Sequence, residues 1–258
     1  MTEQFEVRLA ADARDLAAAQ RLRYAVFVEE MGSDGPLVDH AARLERDAFD
    51  EICDHLLLID RSRDAAALED VVGVYRLLPG DRLAPGQRFY SEGEYDLGRL
   101  RASGRRLLEL GRSCVHPDHR GGAAMVLIWN RLADYVLERG LEVMFGTASF
   151  PGTDVAALAQ PLSWLAHHHR APEGLRAKAL PPQGVPMDML PPEALDRRAA
   201  MQATPALIKA YLRLGGVVGD GAYIDHDFNT TDVLLVIDTA QMSLKHRDYY
   251  VRRHGETA

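Results

Sequence analysis

Hydrophobic residues recur at helical spacing in two parts of the chain, and a glycine signal indicates a third helix. One apolar stripe runs through Asp12–Phe27 and a second runs through Gly121–Arg139, each on one face of a predicted helix. The stripes consist of Leu16, Ala19, Leu22 and Val26 in the first segment and of Val126, Trp129, Leu132, Ala133 and Val136 in the second. A third helix is predicted over Pro205–Leu214, because two glycines follow it directly as a C-terminal signal.

Short apolar runs bounded by turn-forming residues predict the strands. They are His55–Asp60, Val71–Leu78, Leu107–Val115, Val143–Ala148, Tyr223–Ile224 and Val233–Ile237. Met31–Arg46 contains two glycines and a proline and is predicted to be a loop, whereas a short helical piece is expected around Val155–His168.

The order of these elements indicates the fold class. Helices alternate with strands along the chain, which is typical of an α/β or mixed α+β fold with a mixed sheet. Residues 1–258 are interpreted as a single domain, and the proline-rich stretch at about 151–200 is interpreted as an irregular excursion from it.

Composition narrows the class of function. Of the 258 residues 47% are hydrophobic and 26% are charged, and the formal charge of -8 argues against general nucleic-acid binding. No apolar run reaches the roughly 18 residues of a membrane span, and the acidic N-terminal segment does not resemble a signal peptide. Cys53 and Cys114 are too few for a disulfide framework. We therefore expect a cytoplasmic protein that binds no nucleic acid.

The most informative segment is a predicted strand that leads through a glycine-containing turn into a helix. It reads ELGRSCVHPDHRGGAAM, from Glu109 to Met125. The N-terminus of a helix offers free backbone N–H groups and a positive dipole end to an anion, and Arg120 adds a charge. The alternative is an ordinary tight strand-to-helix turn, which also favours glycine.

This segment resembles the pantetheine-pyrophosphate loop of the GNAT N-acyltransferases, whose pattern is V-x-P-x-x-R-G-x-G/A. The resemblance implies a GNAT-like fold, in which helices flank a central mixed, twisted sheet, and an acyl thioester as donor. It assigns the phosphopantetheine arm of the donor to Val115, His116, Arg120, Gly121, Gly122 and Ala123. Ala123 and Met125 stand where glycine is usual, which suits the single phosphate of an acyl-carrier-protein arm better than a pyrophosphate.

Two narrower resemblances indicate the reaction. The segments RYAVF, ERDAFD, GVYRLLP and ELGRSCV resemble the acyl-homoserine-lactone synthases, although a tryptophan usual in that family is missing. The whole chain resembles the ornithine–acyl-carrier-protein N-acyltransferases better, most specifically in PALIKAYLRLGGVVGDGAYIDHDFNTTDVLLV. This implies transfer of a 3-hydroxyacyl chain from acyl carrier protein to the α-amine of ornithine, the first step of ornithine lipid synthesis, with no bound cofactor. A lactone synthase and a non-catalytic GNAT-like binding module remain the alternatives.

The lactone-synthase resemblance also supplies the candidate acceptor site. The assigned residues are Arg23, Phe27, Asp47, Asp50 and Arg76. Asp47 and Asp50 can hold the ammonium groups of the acceptor, or they can lie exposed in a loop. Arg23 can bind the acceptor carboxylate through two parallel hydrogen bonds, or it can fix the loop by pairing with one of these aspartates.

Amide formation from a thioester requires a neutral amine, a general base and donors for the oxyanion. An α-amine titrates near ~8 and a side-chain amine near ~10.4, so the α-amine has roughly a hundredfold larger neutral fraction at pH 7. Glu109 is the candidate base, and Arg112 and Ser113 complete the predicted catalytic set, with an oxyanion hole at the amides near Ser113–Val115. A structural Glu109–Arg112 ion pair is the alternative for the first two.

Other reactive side chains are assigned no catalytic or metal-binding role. His167, His168 and His169 point in three directions from a helix, so we predict no metal site. Cys114 is a candidate for a covalent acyl intermediate, but GNAT chemistry proceeds by direct attack.

Basic residues near the C-terminus are predicted to give weak peripheral contact with the inner membrane; they are Lys245, Arg247, Arg252 and Arg253.

Overall fold

The computed structural model describes residues 4–36, 38–121 and 124–241. The strands are, in chain order, β1 Phe5–Leu9, β2 Asp54–Asp60, β3 Val71–Pro79, β4 Tyr95–Asp96, β5 Leu107–Val115, β6 Val143–Pro151, β7 Lys178–Ala179, β8 Gly184–Val185, β9 Val217–Val218, β10 Ala222–Asp225 and β11 Thr230–Asp238. The α-helices are α1 Ala13–Arg23, α2 Gly98–Ala102, α3 Ala124–Glu138, α4 Ala159–His168, α5 Arg197–Ala203 and α6 Ala206–Arg213.

The chain divides into two compact units, each built from two separate segments. The first unit comprises Met1–Arg82 and Leu110–Gly140, and the second comprises Leu83–Glu109 and Leu141–Ala258. Strand β5 therefore contributes its first three residues to the second unit and the rest to the first. A single domain over residues 1–258 stays a prediction.

The first unit is a sheet covered by a helix on each face. Its strand order is β1-β2-β3-β5, and the pairs β1–β2 and β2–β3 are antiparallel. Helix α1 packs on the face that carries Leu57 and Ile59. Helix α3 packs on the opposite face, where a Cβ at Gly73 would lie 2.7 Å from Ile128 Cδ1 and 3.2 Å from Leu58 Cβ. Glycine at position 73 therefore permits the close approach of α3.

The segment predicted as one helix over Asp12–Phe27 contains two kinds of helix. The side chain of Asp12 caps α1 by accepting from the N–H of Asp15 at 2.9 Å. After Arg23 the chain continues as a π-helix over Tyr24–Glu30. Such wider turns are rare and often occur at functional sites.

The second unit contains a sheet with mixed strand directions. Residues Leu107–Glu109 of β5 run parallel to β6, whereas β6–β11, β11–β10 and β10–β8 are antiparallel pairs. Strand β9 also pairs with β11, and β4 forms a separate pair with β7. The predicted mixed α/β fold with a mixed sheet is thus confirmed. The stretch predicted as an irregular excursion contains α4, α5 and the two-residue strands β7 and β8.

The apolar pattern located the long elements better than the buried faces and the short strands. The predicted face of α3 is wrong at Val126, which is 58% exposed, because the buried stripe runs through Ile128, Leu132 and Tyr135 instead. Strand β1 was not predicted, although its sequence FEVRL alternates apolar and polar residues with the period of a strand. None of the helices in the described ranges has the length and apolar character needed to cross a bilayer.

Candidate active site

A buried ring of alternating charges lies in the first unit and contains most of the residues that the sequence assigns to acceptor binding. Each of its arginines contacts two carboxylates, and each carboxylate contacts two arginines. In order around the ring the residues are Arg23, Glu45, Arg112, Asp47, Arg76 and Asp50. Arg23 ends α1, the three carboxylates lie in the turns before β2, Arg76 lies on β3 and Arg112 lies on β5. Folding of the first unit is therefore required to close the ring.

The contacts within this charge ring are short and mostly shielded from solvent. Arg23 is 0% exposed, and its Nη1 lies 2.6 Å from Asp50 Oδ1. Arg76 Nη1 donates to both carboxylate oxygens of Asp47 at 2.5 Å, and Arg112 Nη2 donates to Asp47 Oδ2 at 3.1 Å. Charge-assisted hydrogen bonds of this kind are the strong ones in proteins.

The arginines keep the aspartates of the charge ring ionised. Burial by itself acts to raise the pKa of Asp47, but the charges of Arg76 and Arg112 lower it to about 2. Burial likewise opposes ionisation of Asp50, and the charge of Arg23 lowers the pKa of Asp50 below its usual value. Both carboxylates are therefore negative at neutral pH.

The structure shows which partners the predicted acceptor residues already have. Arg23 pairs with Glu45 and Asp50, which is the loop-fixing contact that the sequence left as an alternative. Asp47 and Asp50 are engaged by arginines, and Asp50 also accepts from Gln20 Nε2 at 2.9 Å. Phe27 packs against the buried cluster formed by α1, β2 and β3. Acceptor binding by these residues stays a prediction, and Glu45 is a ring member that the sequence assignment missed, although it begins the ERDAFD segment.

The predicted anion loop places Arg120 at the surface of the first unit. Its Nε donates to the carbonyl oxygen of Val115 at 2.9 Å, and its two terminal nitrogens lie 2.7 and 2.6 Å from the carboxylate of Glu30. Gly121 has φ of +74°, a left-handed conformation that glycine adopts without strain. The predicted donor residues Gly122 and Ala123 lie outside the described residues.

Residues of β5 beside this loop are held by their surroundings. Val115 is buried, and the backbone N–H of His116 donates to the carbonyl oxygen of Val72 at 2.9 Å. Ser113 forms a side-chain hydrogen bond with the buried Tyr75. Arg112 has φ of +50°, which interrupts the regular alternation of side chains along the strand.

Glu109 lies in the second unit, where it is 5% exposed and organises a turn. Its Oε2 accepts from the N–H of Tyr90 at 2.8 Å, and its Oε1 accepts from the N–H of Ser91 at 2.7 Å. These amides open the 3-10 turn Tyr90–Gly93. The carboxylate is thus fixed in orientation by two backbone donors.

Cys114 is unsuited to covalent catalysis. Its side chain is buried, and this burial raises the pKa of the thiol to about 12. Because the thiolate is the nucleophilic form, almost none of it exists at neutral pH.

Comparison with known proteins identifies the class and then the family. A family model described as an acetyltransferase (GNAT) domain matches residues 22–130. An L-ornithine N(alpha)-acyltransferase of Rhodobacter capsulatus is 64% identical over 249 residues, which cover 96% of this chain and 95% of the relative. A protein of the same name from Brucella abortus is 42% identical and covers 95% of this chain and 88% of the relative. The chain belongs to the L-ornithine N(alpha)-acyltransferase family.

Solved structures agree with this fold. An N-acyl amino acid synthase from uncultured soil microbes has a TM-score of 0.53 at 11% identity and covers 93% of this chain and 94% of its own. A CoA-dependent acyl-homoserine lactone synthase has a TM-score of 0.51 at 16% identity, with coverages of 98% and 89%. Identities this low show the fold alone. The resemblance to GNAT acyltransferases in the sequence is confirmed.

Proposed function

We propose that this chain transfers a 3-hydroxyacyl group from acyl carrier protein to the α-amine of L-ornithine. The observation that carries the proposal is the 64% identity, along 96% of the chain, to a protein whose name specifies both the acceptor and the acylated nitrogen. The geometry is compatible with it, because a buried and oriented carboxylate stands on a strand of an acyltransferase fold.

The proposed reaction uses one general base and requires no bound cofactor. Glu109 removes the proton from the α-ammonium group, and the neutral nitrogen attacks the thioester carbonyl carbon. A C–N bond forms and the C–S bond breaks. The attacking nitrogen gives up a second proton, and the leaving phosphopantetheine thiolate takes up one proton to become a thiol. The backbone amides near Ser113–Val115 are our proposed donors for the tetrahedral oxyanion.

Arg120 is our proposed partner for the phosphate of the donor. Its guanidinium group is 43% exposed and binds Glu30 with two nitrogens, a geometry that also matches a phosphodiester. A phosphate that takes over this bidentate contact must displace one carboxylate. A single phosphodiester requires less close backbone approach than a pyrophosphate, which supports acyl carrier protein over coenzyme A.

The donor assignment is tested with the same 3-hydroxyacyl group on both carriers. Purified protein and L-ornithine are combined with each donor at equal concentration, and N-acylornithine is measured by mass spectrometry. We expect a higher kcat/KM with acyl carrier protein, and an apparent KM that rises with salt, because complementary charges act on association and are screened over about 8 Å at physiological ionic strength. An equal or higher kcat/KM with acyl-CoA overturns the donor assignment, and absence of product with either donor overturns the function.

We further propose that the acidic carrier protein is attracted by basic residues, which are Arg99, Arg101, Arg105, Arg106 and Arg120. Arg105 is already paired with Asp238, at 2.7 and 2.6 Å, and Arg101 pairs with Glu92. Reversing the charge of Arg105 therefore also breaks a structural contact. Arg106 is exposed, and Arg106→Glu should raise KM for the carrier protein with little change in kcat.

We also propose peripheral association with an anionic membrane surface. The basic residues predicted for it, Lys245, Arg247, Arg252 and Arg253, lie outside the described residues. Each is worth about 1 kcal/mol near an anionic bilayer. The protein should float with anionic liposomes at low salt and separate from them at high salt, whereas neutral liposomes serve as the control. Recovery of all protein in the unbound fraction at low salt contradicts this prediction.

A further inference from the structure

Three carboxylates meet in the second unit at a place that the acceptor and donor assignments leave unused. Glu94, Asp225 and Asp232 bring side-chain oxygens within 4.8 Å of one another. Glu94 is 6% exposed and Asp232 is 5% exposed, whereas Asp225 is half-buried and forms the open side of the group. We call these three residues the carboxylate cluster.

A buried hydroxyl group lies beside the carboxylate cluster and points independently to a ligand. Thr230 is 2% exposed, and its Oγ1 has no hydrogen-bond partner among the described residues. In the antiparallel ladder Thr230 pairs with Asp225 and Tyr223 pairs with Asp232, so these four side chains share one face of the sheet. A buried hydroxyl group without a partner is unusual, and here it lies directly across from one of the carboxylates.

Hydrogen bonds hold the backbone around Glu94 and connect it to Glu109. Glu109 binds the N–H of Ser91 at 2.7 Å, and the carbonyl oxygen of Ser91 accepts from the N–H of Glu94 at 3.0 Å. The next residue, Tyr95, donates its hydroxyl to the carbonyl oxygen of Asp232 at 2.9 Å. One short turn therefore links the proposed base to the carboxylate cluster within the same unit.

The carboxylate cluster and the hydroxyl of Thr230 favour a compact cation that carries hydrogen-bond donors. Carboxylates accept hydrogen bonds, a threonine hydroxyl can also accept one, and an ammonium group has three N–H donors. Burial, together with the negative charges of Glu94 and Asp225, raises the pKa of Tyr223, which indicates a negative field on this face. A positive ligand would relieve the mutual repulsion of the three carboxylates.

We propose that Glu94, Asp225, Asp232 and Thr230 bind the side-chain ammonium group of the acceptor amino acid. The proposal rests on the proposed function, because that function supplies an acceptor with two amines. Carboxylates around an amine favour its charged form, so the side-chain amine stays protonated and non-nucleophilic. The α-amine is then the nitrogen that reacts, and the carboxylate cluster contributes to both acceptor choice and position of acylation.

The test compares L-ornithine with L-norvaline, which has the same carbon chain and lacks the side-chain amine. Each acceptor is assayed with wild type, Asp225→Asn and Thr230→Val, using one acyl donor. Hydrogen bonds to charged groups are worth about 10- to 100-fold in binding, so Asp225→Asn should lower kcat/KM for ornithine by that factor, mainly through KM. For norvaline the same variant should stay within about twofold. Thr230→Val should act in the same direction with a smaller effect.

The matched control is Asp227→Asn, which removes the same charge from an exposed position two residues away. It should change kcat/KM for ornithine by no more than about twofold. Equal losses for ornithine and norvaline in Asp225→Asn overturn the proposal, because they indicate a structural or general catalytic role. Activity that EDTA abolishes and a divalent cation restores also overturns it, since the carboxylate cluster then holds a metal ion.

Calorimetric titration with each amino acid, in the absence of an acyl donor, distinguishes failure of this proposal from failure of the proposed function. Ornithine should bind wild type more tightly than norvaline does, and Asp225→Asn should remove that difference. If the difference is found but no acceptor is acylated, the ammonium site stands and the acyltransferase function fails. If both amino acids are acylated but bind wild type equally well, the function stands and the ammonium site fails.

Discussion

Glu109→Gln is expected to lower kcat about 10²- to 10⁴-fold, because it removes the proposed general base and keeps the side-chain shape. The residual activity should rise with pH, since a larger fraction of the acceptor amine is then neutral without help from a base. Initial rates with L-ornithine between pH 7 and 9 give the measurement.

This substitution also affects the structure, and the control must account for that. The side-chain amide that it introduces keeps one acceptor oxygen for the N–H groups of Tyr90 and Ser91, so one of the two backbone donors loses its partner, at a cost of about 1–3 kcal/mol. Glu92→Gln is a matched variant, because Glu92 caps the same 3-10 turn by accepting from the N–H of Phe89 at 2.7 Å. We expect Glu92→Gln to retain most of its activity. A rate loss below about threefold in Glu109→Gln, or an equal loss in both variants, assigns Glu109 to structure.

Arg23→Met is expected to destabilise the protein by about 3–5 kcal/mol, because it leaves two buried carboxylates without their main partner. Arg23 is 0% exposed and contacts both Glu45 and Asp50, so water cannot replace the lost positive charge. The free energy of unfolding is obtained from urea denaturation followed by circular dichroism.

Two further variants test whether the loss of stability in Arg23→Met comes from the buried carboxylates. Arg43→Met breaks the exposed pair with Glu29, in which the two side chains are 48% and 42% exposed, and should cost no more than about 1 kcal/mol. Adding Asp50→Asn to Arg23→Met removes one of the two carboxylates that lose Arg23 and should recover part of the stability. If Arg23→Met unfolds within about 1 kcal/mol of wild type while KM for ornithine rises steeply, Arg23 binds the acceptor carboxylate instead.

Local sequence patterns located the long elements. The apolar run Leu107–Val115 is strand β5 with the same bounds, and the helical stripe after Gly121 became α3. Sequence similarity along the chain also pointed to the correct family. These features depend on residues close in the sequence or on whole-chain resemblance, and neither requires knowledge of long-range packing.

Only the tertiary structure decided which charged residues meet. Arg112 and Asp47 are separated by 65 positions and lie 3.1 Å apart, and Arg23 reaches across 27 positions to Asp50. Asp225 and Asp232 meet Glu94 through a strand register and a turn held by Glu109, for which no spacing rule exists. A periodic pattern specifies which face of one element a side chain occupies. The partner across that face depends on how distant segments pack, and packing is determined by the whole chain at once.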